Sequence, residues 1–253
     1  MSHNDHRWQA EEVCCPILEL RQYTLHPGER DVLIDIFDRE FVESQEAVGM
    51  CMVGQFRDQD DPDRFVWIRG FQDMASRARA LAAFYGGPVW KAHSKEANAT
   101  MVDSSNVLLL RPTGPRSGFS LQDAIRPPVG ASAPPSSLVV ATLYYRATPV
   151  DDEFVQFFDR NVRPAMAETA APPVARLQSE AAENTFPALP VRTGENVFAW
   201  FSSFTGPDHF RDHTRRLARS TRWNQEVLPE LLTRLSAVPQ QLRLAPTARS
   251  LLR

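Results

Sequence analysis

Lysine is almost missing from this chain: Lys91 and Lys95 are the only two among 28 basic residues. Arginine carries the rest, a compositional habit of GC-rich bacterial genomes, so a bacterial source is expected. Positive charge is not in excess either. A net charge of -3 argues against nucleic acid as a partner, because neutralising phosphates needs a surplus of Lys and Arg. Cysteine is scarce, with 3 in all and Cys14 beside Cys15, which supports neither a disulfide framework nor a zinc site. A cytoplasmic location is the expectation. No apolar run approaches the roughly 20 residues needed to span a bilayer. The stretch Met1 to Glu12 is polar and lacks the apolar segment of a secretory signal. There is no Gly-x-Ser-x-Gly elbow, no Gly-rich phosphate loop and no dinucleotide fingerprint, so nothing points to those chemistries.

What is present is a pattern said twice. Phe65-Val66-Trp67-Ile68-Arg69-Gly70-Phe71 overlays Phe198-Ala199-Trp200-Phe201-Ser202-Ser203-Phe204 at an offset of 133, and Trp90 overlays Trp223 at the same offset. Upstream, Phe37-Asp38-Arg39 overlays Phe158-Asp159-Arg160 at 121, and Tyr23 is matched to Tyr145 at 122. The change in offset places an insertion of about a dozen residues in the second copy, between Ala170 and Asn196. Two similar modules of about 100 residues are therefore expected to bury surface against each other.

Periodicity sorts the first copy into strand 17–25, helix 31–44, strands 48–56 and 65–71, helices 74–84 and 89–101, and strand 106–111. The second repeats this order with strand 138–146, helix 151–167, strands 174–180 and 197–204, helices 207–218 and 222–235, and strand 240–244. That order is the split βαβ motif, an antiparallel sheet with helices on one face. The predicted organisation is an arm at 1–16, a repeat at 17–113, a linker at 114–137, a second repeat at 138–247 and a tail at 248–253. Each repeat leaves one sheet face bare, and the other repeat's equivalent face is its natural cover. The fold class predicted is α+β: tandem ferredoxin-like (βαββαβ) repeats forming an intramolecular dimeric α/β barrel. Closure within one chain leaves monomer and homo-oligomer both open.

The segment Leu18-Glu19-Leu20-Arg21-Gln22-Tyr23-Thr24-Leu25-His26-Pro27-Gly28 resembles the opening of NIPSNAP family members. Phe84-Tyr85-Gly86-Gly87-Pro88-Val89-Trp90-Lys91 and Asn106-Val107-Leu108-Leu109-Leu110-Arg111-Pro112 resemble the family's closing segment. The second copy matches loosely, with Ala141, Thr142 and Leu143 against Glu19, Leu20 and Arg21. The resemblance implies a dimeric α/β barrel and little chemistry, since the family has no agreed reaction. Relatives sharing only that fold include cofactor-free monooxygenases and haem enzymes.

Strand alternation puts Glu19, Arg21 and Tyr23 on one face of the first strand, and Trp67 and Arg69 on one face of the third. With the aliphatic faces assigned to the helices, these five are expected to converge on the barrel interior. There they would hold a small anionic or aromatic molecule, Arg21 and Tyr23 serving catalysis and Glu19, Trp67 and Arg69 binding. The alternative is a buried structural ion pair that fixes how the sheets meet. At the matched positions the second copy has Ala141, Leu143, Tyr145, Trp200 and Ser202. It keeps a Tyr and a Trp for the site but none of the charges. His93, on the stripe Trp90, His93, Ala97, Met101, is a third catalytic candidate or an axial haem ligand. No other cofactor is expected. His209 and His213 stand four apart but lack the Glu of a zinc peptidase, so no metal is assigned. A run of arginines around Arg219 could dock an acidic partner or be a solvated face. Two functions stand: a small-molecule site of cofactor-independent monooxygenase type, and a non-catalytic interaction module with a filled core.

Overall fold

The computed structural model describes residues 15–253. The polar start and Cys14 lie outside the described residues. β1 (Ile17–Leu25), β2 (Cys51–Asp58), β3 (Arg64–Phe71), a short β4 (Met101–Asp103) and β5 (Val107–Pro112) make the first sheet. Helix α1 (30–46) connects β1 to β2, and α2 (Met74–Gly86) and α3 (Pro88–Ala99) connect β3 to β4. The second repeat supplies β6 (Leu138–Arg146), α4 (152–168), β7 (Ala175–Ser179), β8 (Asn196–Phe204), α5 (Pro207–Arg219), α6 (221–233) and β9 (Gln240–Pro246). The expected elements are all there, shifted by at most a few residues at their ends.

Antiparallel pairing runs β3-β2-β9-β6-β8-β7-β5-β1, and β1 pairs back onto β3, which closes eight strands into a barrel; β4 hangs from the end of β1. The seams are short. β2 meets β9 from Phe56 opposite Pro246 to Asp58 opposite Leu244, and β5 meets β7 from Leu110 opposite Ser179 to Pro112 opposite Leu177. Each repeat would otherwise leave two strand edges open, and the seams pair them. The tandem-repeat barrel predicted from the sequence is therefore the fold observed.

The register corrects one alignment. Tyr23 lies opposite Phe65 and Tyr144 lies opposite Phe198, so the counterpart of Tyr23 is Tyr144, not Tyr145. The offset is 121 throughout this half. It holds for a turn of π-helix, Phe37–Phe41 in α1 and Phe158–Val162 in α4, a feature the 3.6 period cannot announce.

The apolar faces are also reversed from expectation. Leu18, Leu20, Val66 and Ile68 join Val139, Ala141, Leu143, Ala199, Phe201 and Leu244 in one cluster that fills the barrel. Tyr23 and Trp67 instead pack outward with Leu33, Phe37, Phe41, Leu81 and Phe84 of the covering helices. An eight-stranded barrel is only wide enough for side chains to fill, and mostly aliphatic side chains from the two repeats fill it, with Phe56, Phe119 and Phe201 among them. The charged side chains and the Tyr and Trp rings take the layer under the helices. Phe119 of the linker and Leu252 of the tail enter the barrel cluster, so neither segment is a mere tether. Cys15, expected in the arm, is buried there too. Its sulfur occupies the space a side chain would need at Gly70, where an added Cβ would lie 2.1 Å from Sγ.

Candidate functional site

The charged residues read from the first and third strands do converge, but beneath the helices. Glu19 and Arg69 are direct cross-strand partners, as are Arg21 and Trp67. Period two then aims Glu19, Arg21, Trp67 and Arg69 at the same layer. Arg21 Nη1 and Arg69 Nε each donate to Glu19 Oε2 at 2.8 Å, and Arg77 Nε donates to Oε1 at 2.7 Å. Glu19, Arg21, Arg69 and Arg77 are all fully buried. Three guanidinium groups around one carboxylate leave a buried surplus of positive charge. Burial alone would push the Glu19 carboxyl up; the fields of Arg69, Arg21 and Arg77 overcome it and hold it far below the usual range. Burial raises the Tyr23 phenol against the opposing pull of Arg21, so Tyr23 is a neutral phenol at physiological pH.

Around this core lies a second set of polar partners. Tyr23 OH accepts from Arg21 Nε at 2.9 Å. Gln45, on α1, accepts from Arg69 Nη1 at 2.8 Å and donates its own amide to the Phe41 carbonyl at 3.0 Å. Arg77 Nη1 donates to Asn184 Oδ1 at 2.9 Å, and Thr185 Oγ1 donates to the Met74 carbonyl at 3.0 Å. Asn184 and Thr185 belong to the insertion of the second repeat, residues 180–195, where the first repeat has only 59–63. Phe186 of the same insertion stacks on Tyr85, centroids 6.0 Å apart and planes 23° apart. The extra residues thus form a strap across the first repeat's helices.

Beside the charges is a chamber of about 30 Å³, lined by Tyr23, Gln45, Trp67, Tyr85, Trp90 and neighbouring Phe side chains. The Arg69 guanidinium lies 4.9 Å from the Trp67 ring centroid and Arg21 lies 5.4 Å from the Trp67 and Tyr23 centroids, so charge stands directly behind the aromatic walls. Several buried donors among the described residues have no hydrogen-bond partner in the protein, and three of them, Arg21 Nη2, Arg69 Nη2 and Trp67 Nε1, stand together here; Trp200 Nε1 is in the same position in the second repeat. Buried donors are ordinarily paired, so three together are unusual. Larger grooves, of about 640 Å³ along the strap and about 480 Å³ beside Asp38 and Arg249, are lined by neither the aromatic walls nor the charged core.

The remaining candidates lie elsewhere. His93 is half-buried at the helical rim, with Nε2 3.6 Å from Glu40 Oε2, and does not line the chamber. The neighbouring space is far smaller than a haem, and the residues present do not fit one. Trp200 packs under the second repeat's helices with Tyr144 and Phe158. Tyr145 faces the opposite way and donates to Gln240 Oε1 at 3.0 Å. Trp200 and Tyr145 are therefore not partners of Arg21. His213 Nδ1 is 2.8 Å from Thr169 Oγ1 and His209 Nε2 is 3.0 Å from the Ala170 carbonyl, so both imidazoles pin one turn. Among the described residues no group of His, Cys, Asp and Glu is placed to hold a metal. Arg211, Arg215, Arg216 and Arg222 pair with Asp208, Asp212 and Glu168 on the surface, so most of this face's charge is spent on its own ion pairs.

Sequence reasoning missed Gln45, Arg77 and the strap. Arg77 did leave a signal: it interrupts the stripe Met74, Leu81, Phe84 of α2, where an apolar residue is expected.

The second repeat shows the same seam without charge. With the corrected register, Glu19, Arg21, Gln45, Arg69 and Arg77 correspond to Val140, Thr142, Met166, Ser202 and Phe210. Val140 and Phe210 pack together in an apolar cluster.

A model of the NIPSNAP family matches residues 18–115, so the first repeat is a NIPSNAP domain. No curated protein matches the chain. The whole barrel is similar to two crystal structures named "putative monooxygenase". One is from Fusobacterium nucleatum, with 10% identity, 92% of this chain and 93% of that chain covered, and TM-score 0.52. The other is from Lactobacillus acidophilus, with 13% identity, 92% and 94% covered, and TM-score 0.51. An anthrone oxidase-like protein is similar at 13% identity, 91% of both chains and TM-score 0.53. At these identities the likeness is one of fold.

Proposed function

We propose that this protein binds a small anionic molecule in its NIPSNAP repeat, between sheet and helices, and that the second repeat is the structural half that closes the barrel and straps the site. One observation carries the reading. The same chain builds the same seam from Val140, Thr142, Met166, Ser202 and Phe210, so the fold does not need Glu19 and its three arginines. Replacing a buried ion cluster by apolar residues is often neutral or stabilising, which makes an unneeded, unbalanced cluster a functional feature. Its roles follow from the geometry: Arg21 and Arg69 supply charge, Tyr23 a phenolic donor and Trp67 a wall with an N–H.

The neighbours' names suggest oxygenase-type chemistry, in which an electron-rich organic substrate would itself reduce oxygen. Organic ligands of drug size occupy about 300–1,000 Å³. A chamber of about 30 Å³ admits no phenol or quinol, so that reaction would require its walls to move apart. Anion binding requires no movement. The filled barrel interior favours the rival reading, a non-catalytic module, only in that the ligand does not sit inside the barrel.

Arg21→Met tests the reading. The variant keeps two arginines on Glu19 and should hold its melting temperature within a few degrees while losing anion-dependent stabilisation. Collapse of the fold with no anion effect in the wild type would make the cluster structural.

A further inference from the structure

The chamber's ligand can be specified further, on the reading that it binds an anion. We infer that the ligand is a compact monovalent anion of halide or formate size, held by the indole N–H of Trp67 and the phenol O–H of Tyr23 in the field of Arg21 and Arg69.

Trp67 is 2% exposed and its indole can only donate. Its Nε1 has no partner in the protein. Tyr23 OH already accepts from Arg21 Nε, which turns its own hydrogen outward as a donor. Gln45 is used up at both ends: its oxygen takes Arg69 Nη1 and its nitrogen goes to the Phe41 carbonyl. The other walls bring no side-chain carboxylate or carbonyl, and Tyr85 adds a phenol that can donate as well as accept. The chamber thus offers an excess of donors and, apart from phenol oxygens, no side-chain acceptor. A buried water wants two to four partners of both kinds and is poorly served here. A species that only accepts is well served.

Charge and size narrow the class. Three arginines against Glu19 leave the region positive, and the two unpartnered guanidinium nitrogens, Arg21 Nη2 and Arg69 Nη2, belong to the same groups that back the walls. A cation is excluded by this field. About 30 Å³ holds one or two water-sized bodies, which fits chloride, bromide or formate and not a sulfate-sized or organic polyanion. Tyr85, stacked on Phe186 of the strap, is one of the chamber's walls.

The experiment is thermal unfolding of the full chain in sodium gluconate, with gluconate exchanged stepwise for chloride, bromide or formate at constant ionic strength. Binding to the native state should raise the wild-type Tm progressively with the compact anion. Trp67→Phe keeps a ring and removes the N–H; it should weaken the apparent affinity at least tenfold. An equal response to gluconate and chloride, or an unchanged response in Trp67→Phe, overturns the inference. Crystals of the wild-type protein grown in bromide provide a check independent of variants: an anomalous peak within hydrogen-bonding distance of Trp67 Nε1 supports the site, and bromide found only on the surface refutes it. If a larger organic acid stabilises the wild type through Arg21 and compact anions do not, this inference fails while the broader reading survives. If no anion stabilises the protein, both fall.

Discussion

Two seams in this molecule have one backbone plan and opposite chemistry. In each repeat a four-stranded sheet is covered by helices over a Tyr and a Trp, Tyr23 with Trp67 and Tyr144 with Trp200. The first seam then buries Glu19, Arg21, Gln45, Arg69 and Arg77; the second puts Val140, Thr142, Met166, Ser202 and Phe210 in their places. The second seam is an internal control made by the protein itself. It shows that packing is satisfied without ions, and that whatever the first seam does with three guanidinium groups is additional to folding. The strap points the same way, since residues 180–195 leave their own repeat to place Asn184 against Arg77 and Phe186 against Tyr85.

The sharpest way to break the contrast is to remove the one buried anion. Glu19→Gln leaves three buried arginines without a carboxylate and should cost about 3–5 kcal/mol in urea denaturation. A loss below 1 kcal/mol would mean that the charges are not buried as described. The same carboxylate gives a pH signature. Its pKa is lowered on folding, so its contribution is present above the unfolded value near 4 and is lost as pH falls toward the folded one. The wild type should therefore lose stability under acid below about pH 4, and Glu19→Gln should lose less.

Asp38 gives the next largest effect, with the opposite sign. It sits on the π-turn of α1, and burial pushes its carboxyl up to about 6 despite Thr247 and Arg249. A carboxyl raised on folding costs stability as pH climbs from about 4 to about 6. Asp38→Asn should thus stabilise the protein at pH 7 by on the order of 2 kcal/mol and have little effect at pH 4. No gain at pH 7 would count against the burial. The counterpart Asp159 instead lies 3.4 Å from Arg176 in an ion pair.

Phe186→Ala probes the strap with a smaller expected effect. Global stability should fall by about 1–2 kcal/mol, since the ring is only half-buried. Acrylamide quenching of the tryptophans in the folded protein should rise, because Trp90 stands beside Tyr85 with ring centroids 4.8 Å apart. Unchanged quenching would remove the strap from the site. Smallest of all, Arg219→Ala on the solvated face of α5 should change stability by less than about 0.5 kcal/mol.

Much of this was legible in the chain. β1 and β6 run over the residues expected, because His26-Pro27-Gly28 ends one and apolar alternation marks both. The convergence of Glu19, Arg21, Tyr23, Trp67 and Arg69 followed from period two alone, and its asymmetry was visible in the second copy. The direction of convergence was not. Both sheet faces are buried, so the one-dimensional pattern could not say which met the helices; the barrel took the mostly aliphatic face and the helices covered the face with the charges, Tyr and Trp. Tyr145 was chosen over Tyr144 because adjacent tyrosines look alike until a partner strand sets the register. Gln45, Arg77 and Asn184 escaped because each comes from a different helix or loop.

The amino-acid order by itself determined the duplication, the strand and helix sequence, and the presence of one charged and one uncharged copy. Those are local or periodic properties, and each is set by residues near one another in the chain. Only the tertiary structure decided that the charges lie outside the barrel, that α2 adds a third arginine, and that an insertion in one half closes over the other. Such facts depend on which buried surface fills which volume, and that is settled when the two repeats meet.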